Sequence, residues 1–158
     1  MAKTARFAGL VGGCFGWRVG RAGLRRQARK KAEGAGTEID FQMASAEAPP
    51  FSEATFDVVL STTVFHCLSD RARHLCIQEM ARVLKPNGRL LLIDFGGSKR
   101  ERRSPIGHLR AHRDFDVFDL IPTINETGLT DLKNGSLGFS DLQFLIATRS
   151  SSTSLRSG

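Results

Sequence analysis

His66, Cys67, His74 and Cys76 fall close together in the chain, and imidazole and thiolate groups are the side chains most able to ligate a transition metal or to act as base and nucleophile. Their spacing is not that of a zinc site. There is no CxxC pair, and a strand end followed by a helix scatters the four over different faces. Cys14 makes the cysteine count odd, which argues against a disulfide framework and for a reducing compartment. His108 and His112 stand four apart among arginines, a spacing that puts both on one helix face, and they are read as solvated. No GxSxG elbow, HExxH pair or P-loop occurs, so no side chain stands out as a nucleophile. Two groups remain to be weighed, His66, whose more ordinary role is structural, and Asp94 at the end of an apolar run. A carboxylate there either faces substrate or caps backbone amides, and capping is the preferred reading. No catalytic base is assigned.

These groups need strands to present them. "FDVVLST", 56–62, has the continuous apolar centre of a parallel strand covered on both faces. Ser69 is the expected N-cap of a helix over 69–84, with Ala72, Cys76, Met80 and Val83 or Leu84 on one face. Lys85 and Pro86 close that helix, Asn87 and Gly88 turn, and "RLLLIDF" is the next strand, 89–95. Strand, helix and strand make a right-handed βαβ unit. "EIDFQM", 38–43, alternates polar and apolar residues as a half-exposed edge strand does, and Pro49 and Pro50 place a loop after it. Residues 114–128 fit a further helix with Phe118, Leu120, Ile121 and Ile124 as its apolar side, despite Pro122. Two antiparallel strands then flank 135–140, and residues 150–158 are expected to be a disordered tail. An open sheet of this kind binds ligands at the carboxyl ends of its parallel strands, which selects residues 44–47, 62–67 and 94–98.

The chain has 158 residues, 41% of them apolar and 25% charged, which suits one soluble domain with a real core, and no apolar run is long enough for a transmembrane segment. The net charge of +7 is local. Residues 1–31 hold nine Lys or Arg and no acid, whereas the other 127 residues hold 14 basic against all 16 acidic groups, a balance of −2. A second basic cluster runs from Lys99 to Arg113. Such clusters meet anionic surfaces or are simply solvated.

Three stretches resemble one family. "SAEAPPF", "FDVVLSTTVFHCLSD" and "EMARVLKPNGRLLLIDF" are similar, in order and spacing, to the class I S-adenosylmethionine-dependent methyltransferases, most closely the branch that includes quinone-biosynthesis methyltransferases. The resemblance runs from about Leu24 to Arg149. It implies an α/β fold, a Rossmann-like three-layer sandwich whose mostly parallel sheet ends in an antiparallel hairpin. It implies S-adenosyl-L-methionine as cofactor and a small-molecule or lipid-like methyl acceptor; the cysteines and the charge distribution add the expectations of a cytoplasmic location and no specific nucleic-acid partner. By the same resemblance Ala44, Ser45, Ala46 and Glu47 hold the adenine, and Ser61, Thr62 and Thr63, with His66 nearby, line the methionine portion. Methyl transfer from a sulfonium needs no covalent protein intermediate, which accounts for the absent nucleophile.

Two features depart from the family pattern. Ser45 stands where the family places an adenine-contacting aspartate, leaving Glu47 as the carboxylate acceptor. The family's first strand, its GxGxG loop and its second strand with the ribose-binding acid have no clear counterpart, although "GLVGGCFGW" holds Gly12, Gly13 and Gly16. Residues 1–23 are therefore read as an atypical basic leader, 24–149 as the methyltransferase-like domain and 150–158 as the tail. With the first strands missing or degenerate, one edge of strand 56–62 is exposed to pairing by a second copy unless residues 7–19 cover it. Beside the enzyme stand two other readings: a non-catalytic methyltransferase-like partner or remnant domain, and a basic protein that binds nucleic acid or an anionic membrane.

Overall fold

The computed structural model describes residues 7–11, 21–36, 39, 44–96, 115–138 and 141–151. Gly12, Gly13 and Gly16, most of the expected edge strand 38–43, the basic stretch 99–113 with its two histidines, and the tail from 152 lie outside the described residues.

Strand β2, Phe56–Thr62, lies between two parallel partners, as its apolar centre requires. On one side β1, Phe7–Val11, pairs with it from Phe7↔Val58 to Val11↔Thr62. No strand was expected there, because Ala8 and Gly9 have little β-propensity. The edge that the sequence left open to a second copy is thus occupied by five of the residues named as its possible cover. Helix α1, Arg21–Gly34, follows β1. On the other side β2 pairs with β3, Leu84–Phe95, reached through helix α2, Asp70–Val83, the expected βαβ unit.

Ser69 caps α2, its Oγ accepting from the Ala72 amide at 3.3 Å. Ala72, Cys76, Met80 and Val83 are buried as the periodicity predicts, together with Ile77 and Ala81. The helix stops where Lys85 and Pro86 placed its end, but the Lys85 side chain does not reach its last carbonyls. Lys85 Nζ turns away to Asp57 Oδ2 at 2.8 Å, and the last carbonyls of α2 are met by other groups. The Ala54 amide donates to the Arg82 carbonyl at 3.0 Å and the Thr55 amide to the Val83 carbonyl at 2.8 Å. The Arg149 guanidinium donates to the carbonyls of Arg82 and Leu84.

The turn at Asn87–Gly88 exists, but inside a strand. β3 begins at Leu84, and Phe56 pairs with Leu84 while Val58 pairs with Arg89, so residues 85–88 bulge out of the ladder. Asn87 takes a left-handed φ of 64°. A Cβ on Gly88 would lie 2.8 Å from the Lys85 carbonyl oxygen, which only glycine avoids.

The single helix expected over 114–128 is two shorter pieces. Asp116 Oδ1 accepts from the Phe118 amide at 2.9 Å and starts a 3-10 turn, Val117–Leu120, which leads into α3, Ile121–Glu126. Pro122 falls in the first turn of α3, where its missing amide proton is not needed. β4, Leu129–Ser136, and β5, Leu142–Arg149, form the expected antiparallel hairpin. β5 also pairs antiparallel with β3, giving the order β1-β2-β3-β5-β4. The result is an α/β fold with a mixed sheet. One core joins Val59, Leu90, Leu92, Leu145 and Ala147 of the strands to Cys76, Ile77 and Met80 of α2 and to Leu120 and Ile124. Among the described residues no helix is long and apolar enough to cross a membrane.

Candidate functional site

Leu90, Leu92 and Asp94 alternate on the buried face of β3, so the carboxylate stands where the pattern calls for a third apolar side chain. It is 1% exposed. A buried carboxylate survives only if its lone pairs are used, and these are. Asp94 Oδ2 accepts from the amides of Val64 at 2.9 Å and Phe65 at 2.7 Å, and Oδ1 accepts from the Phe95 amide at 2.8 Å. Oδ1 also lies 2.6 Å from His66 Nδ1, and an oxygen that already accepts an amide calls for a proton on that nitrogen. The capping reading of Asp94 is the one the structure shows. His66 is buried with it, its ring edge-on to Phe95 at 4.7 Å between centroids.

The carboxylate therefore pins the chain as it leaves β2. The pin explains an otherwise costly conformation: Thr63, a β-branched residue, sits at φ 51° while its amide donates to the Ile93 carbonyl at 2.8 Å. Just before it, Ser61 is 1% exposed, and its Oγ is a buried side-chain polar atom without a hydrogen-bond partner. Such an orphan costs about 1–3 kcal/mol, a cost that a polar ligand at this strand end removes. Thr62 is half-buried beside it.

Residues 44–47 form a tight turn. Ser45 Oγ accepts from the Glu47 amide at 3.3 Å, and the Ser45 carbonyl accepts from the Ala48 amide at 3.3 Å. Ala46 packs against the core while Ala44, Ser45 and Glu47 are exposed. Glu47 is within electrostatic reach of α2: burial first, and then the Glu47 charge, push the Cys76 thiol up to about 11. Cys76 should therefore stay unlabelled by a thiol reagent in the native protein at pH 8 and react once urea unfolds the chain; fast native labelling would contradict this. Between 9.0 and about 11 the folded thiol keeps a proton that the unfolded chain gives up, so this group lowers stability as pH rises through that interval.

The other sulfur and imidazole groups disperse. Cys67 is exposed at the end of the turn after β2, while Cys76 is a free thiol in the core. His74 is half-buried on α2 with its Nε2 2.9 Å from Gln78 Nε2. Sequence reasoning missed Arg73, which braces the pinned turn from outside. Its Nε donates to the Phe65 carbonyl at 2.9 Å, its Nη1 to Asp70 Oδ1 at 2.7 Å, and its guanidinium lies 4.4 Å from the centre of the Phe115 ring. The available signal was a cation in the first turn of a helix, where the dipole disfavours one.

Residues 21–92 match the model of a methyltransferase domain. Over 132 residues the chain is 31% identical to the ubiquinone/menaquinone biosynthesis C-methyltransferase of Pseudoalteromonas translucida, covering 81% of this chain and 49% of that protein. The demethylmenaquinone methyltransferase of Thermus thermophilus is 41% identical over 68 residues, 43% of this chain and 30% of that protein. The fold matches an S-adenosylmethionine-dependent methyltransferase from Aquifex aeolicus with a TM-score of 0.66 at 17% identity, over 91% of this chain and 82% of that one.

The chain belongs to the class I S-adenosylmethionine-dependent methyltransferases.

Human N-acetylserotonin methyltransferase, solved with S-adenosylmethionine, shares the fold with a TM-score of 0.57 at 18% identity, over 71% of this chain and 34% of that one. S-adenosylmethionine is the cofactor of this methyltransferase family. The chain spans about half the length of the first relative, 49%. The orphaned Ser61 hydroxyl at the carboxyl end of a parallel strand fits a ligand with a polar amino-acid portion.

Proposed function

We propose that this methyltransferase-family chain moves a methyl group from S-adenosylmethionine to a small quinone-like acceptor. The support for the acceptor class is the likeness to proteins named for ubiquinone and menaquinone biosynthesis. The observation that carries cofactor binding is the turn after β2, held by Asp94 next to the unpartnered Ser61 hydroxyl. In this reading Ser61, Thr62 and Thr63, with His66 beside them, hold the methionine portion. Ala44 to Glu47 hold the adenine, with Glu47 the carboxylate that takes the place of the family's aspartate. Bound there, the cofactor supplies an electrophilic methyl on a sulfonium. The protein's part is to orient it and to keep a preformed turn that needs no reorganisation on binding. The proposed compartment is the cytoplasm.

Calorimetric titration with S-adenosylmethionine and its demethylated product tests the reading. Binding in the micromolar range, weakened by Ser61→Ala, is expected; no heat at millimolar cofactor refutes it.

A further inference from the structure

Helix α1 reads RAGLRRQARKKAEG and has no acid in its first turn. Arg26, Arg29, Lys30 and Lys31 are all exposed, and among the described residues none of them is in an ion pair. Arg26 stands three and four residues from Arg29 and Lys30, the spacings at which like charges repel along a helix. Basic residues near the amino-terminal end also oppose the helix dipole. Ala32 is its buried residue among those described. Lys31 lies in the last turn, where the dipole favours a cation, but Arg26, Arg29 and Lys30 share one face with Glu33 as the helix's single acid, and an anionic surface would relieve these three together.

We propose that α1 docks the protein on an anionic lipid surface. The inference rests on the reading that the acceptor is quinone-like, because such a molecule partitions into a bilayer and its methyltransferase must meet it there. A nucleic acid offers the same charge without supplying the acceptor. The attachment is reversible and electrostatic, set by the number of cations that reach the headgroups and screened by salt.

The test is sedimentation of the full chain with phosphatidylcholine vesicles, plain or with about one third phosphatidylglycerol, at about 0.05 M and about 0.5 M salt. No cofactor is present. Binding is expected only to the anionic vesicles and only at low salt. Lys30→Gln should weaken it about fivefold, and Gln at 26, 29 and 30 together about a hundredfold. Circular dichroism melts that match the parent confirm that these variants fold. Equal binding to neutral vesicles, an unaffected threefold variant, or stronger retention on DNA than on anionic vesicles would overturn the proposal. Since the vesicle assay contains no cofactor, its failure leaves methyl transfer standing, and a failed cofactor titration leaves the vesicle result standing.

Discussion

Replacing Asp94 with alanine is expected to cost about 4 kcal/mol of unfolding free energy in urea titration, because a buried carboxylate with several partners is removed and its donors are left in a dry site. Three of those donors are backbone amides, at 2.7 to 2.9 Å. The residues that lose their acceptor are not distant loop positions but the turn that carries Val64, Phe65 and His66. Asp94→Asn keeps the shape and one carbonyl oxygen, so it should recover roughly half of the loss. A loss below about 1 kcal/mol for the alanine variant would mean that the turn finds other acceptors, and the account of the pinned turn would fall.

Arg149→Ala should cost about 2 kcal/mol, a loss set mainly by the uncapped end of α2. The guanidinium reaches the carbonyls of Arg82 and Leu84 and also Glu53 Oε1 at 3.0 Å. The pair with Glu53 contributes little, since that carboxylate side chain is 67% exposed. Glu53→Ala should therefore leave the melting temperature nearly unchanged, whereas Arg149→Lys, which cannot span two carbonyls, should restore only part of the loss. If Glu53→Ala and Arg149→Ala prove equally costly by thermal melting, the surface pair and not the helix end carries the energy.

Patterns confined to one element were legible in the sequence. The apolar centre of 56–62, the Ser69 cap and the buried stripe of α2 follow from strand and helix periodicity, and all three are found. What was not legible depends on pairings between distant residues. Phe7–Val11 is a strand because β2 offers it a ladder, not because its composition demands one. Residues 85–88 bulge because Leu84 is held opposite Phe56. Arg149 caps a helix that ends more than sixty positions earlier. At the site, the sequence identified Asp94 as a cap but not what it caps, since the amides of Val64 and Phe65 come near it only once β2 and β3 lie side by side. The division of helix 114–128 was missed for a local reason: Asp116 satisfies its own backbone and competes with the helix.

The order β1-β2-β3-β5-β4 has a consequence for how the molecule comes into being. β5 is made after β4 yet stands between β4 and β3, so a nascent chain that has reached only Ser136 holds β4 with no neighbour to zip onto. β3 is then bare along the whole side later taken by Leu142–Arg149. Until that stretch emerges, the half-built sheet presents its middle as a sticky rim, the stage at which a growing polypeptide most needs shielding from its neighbours.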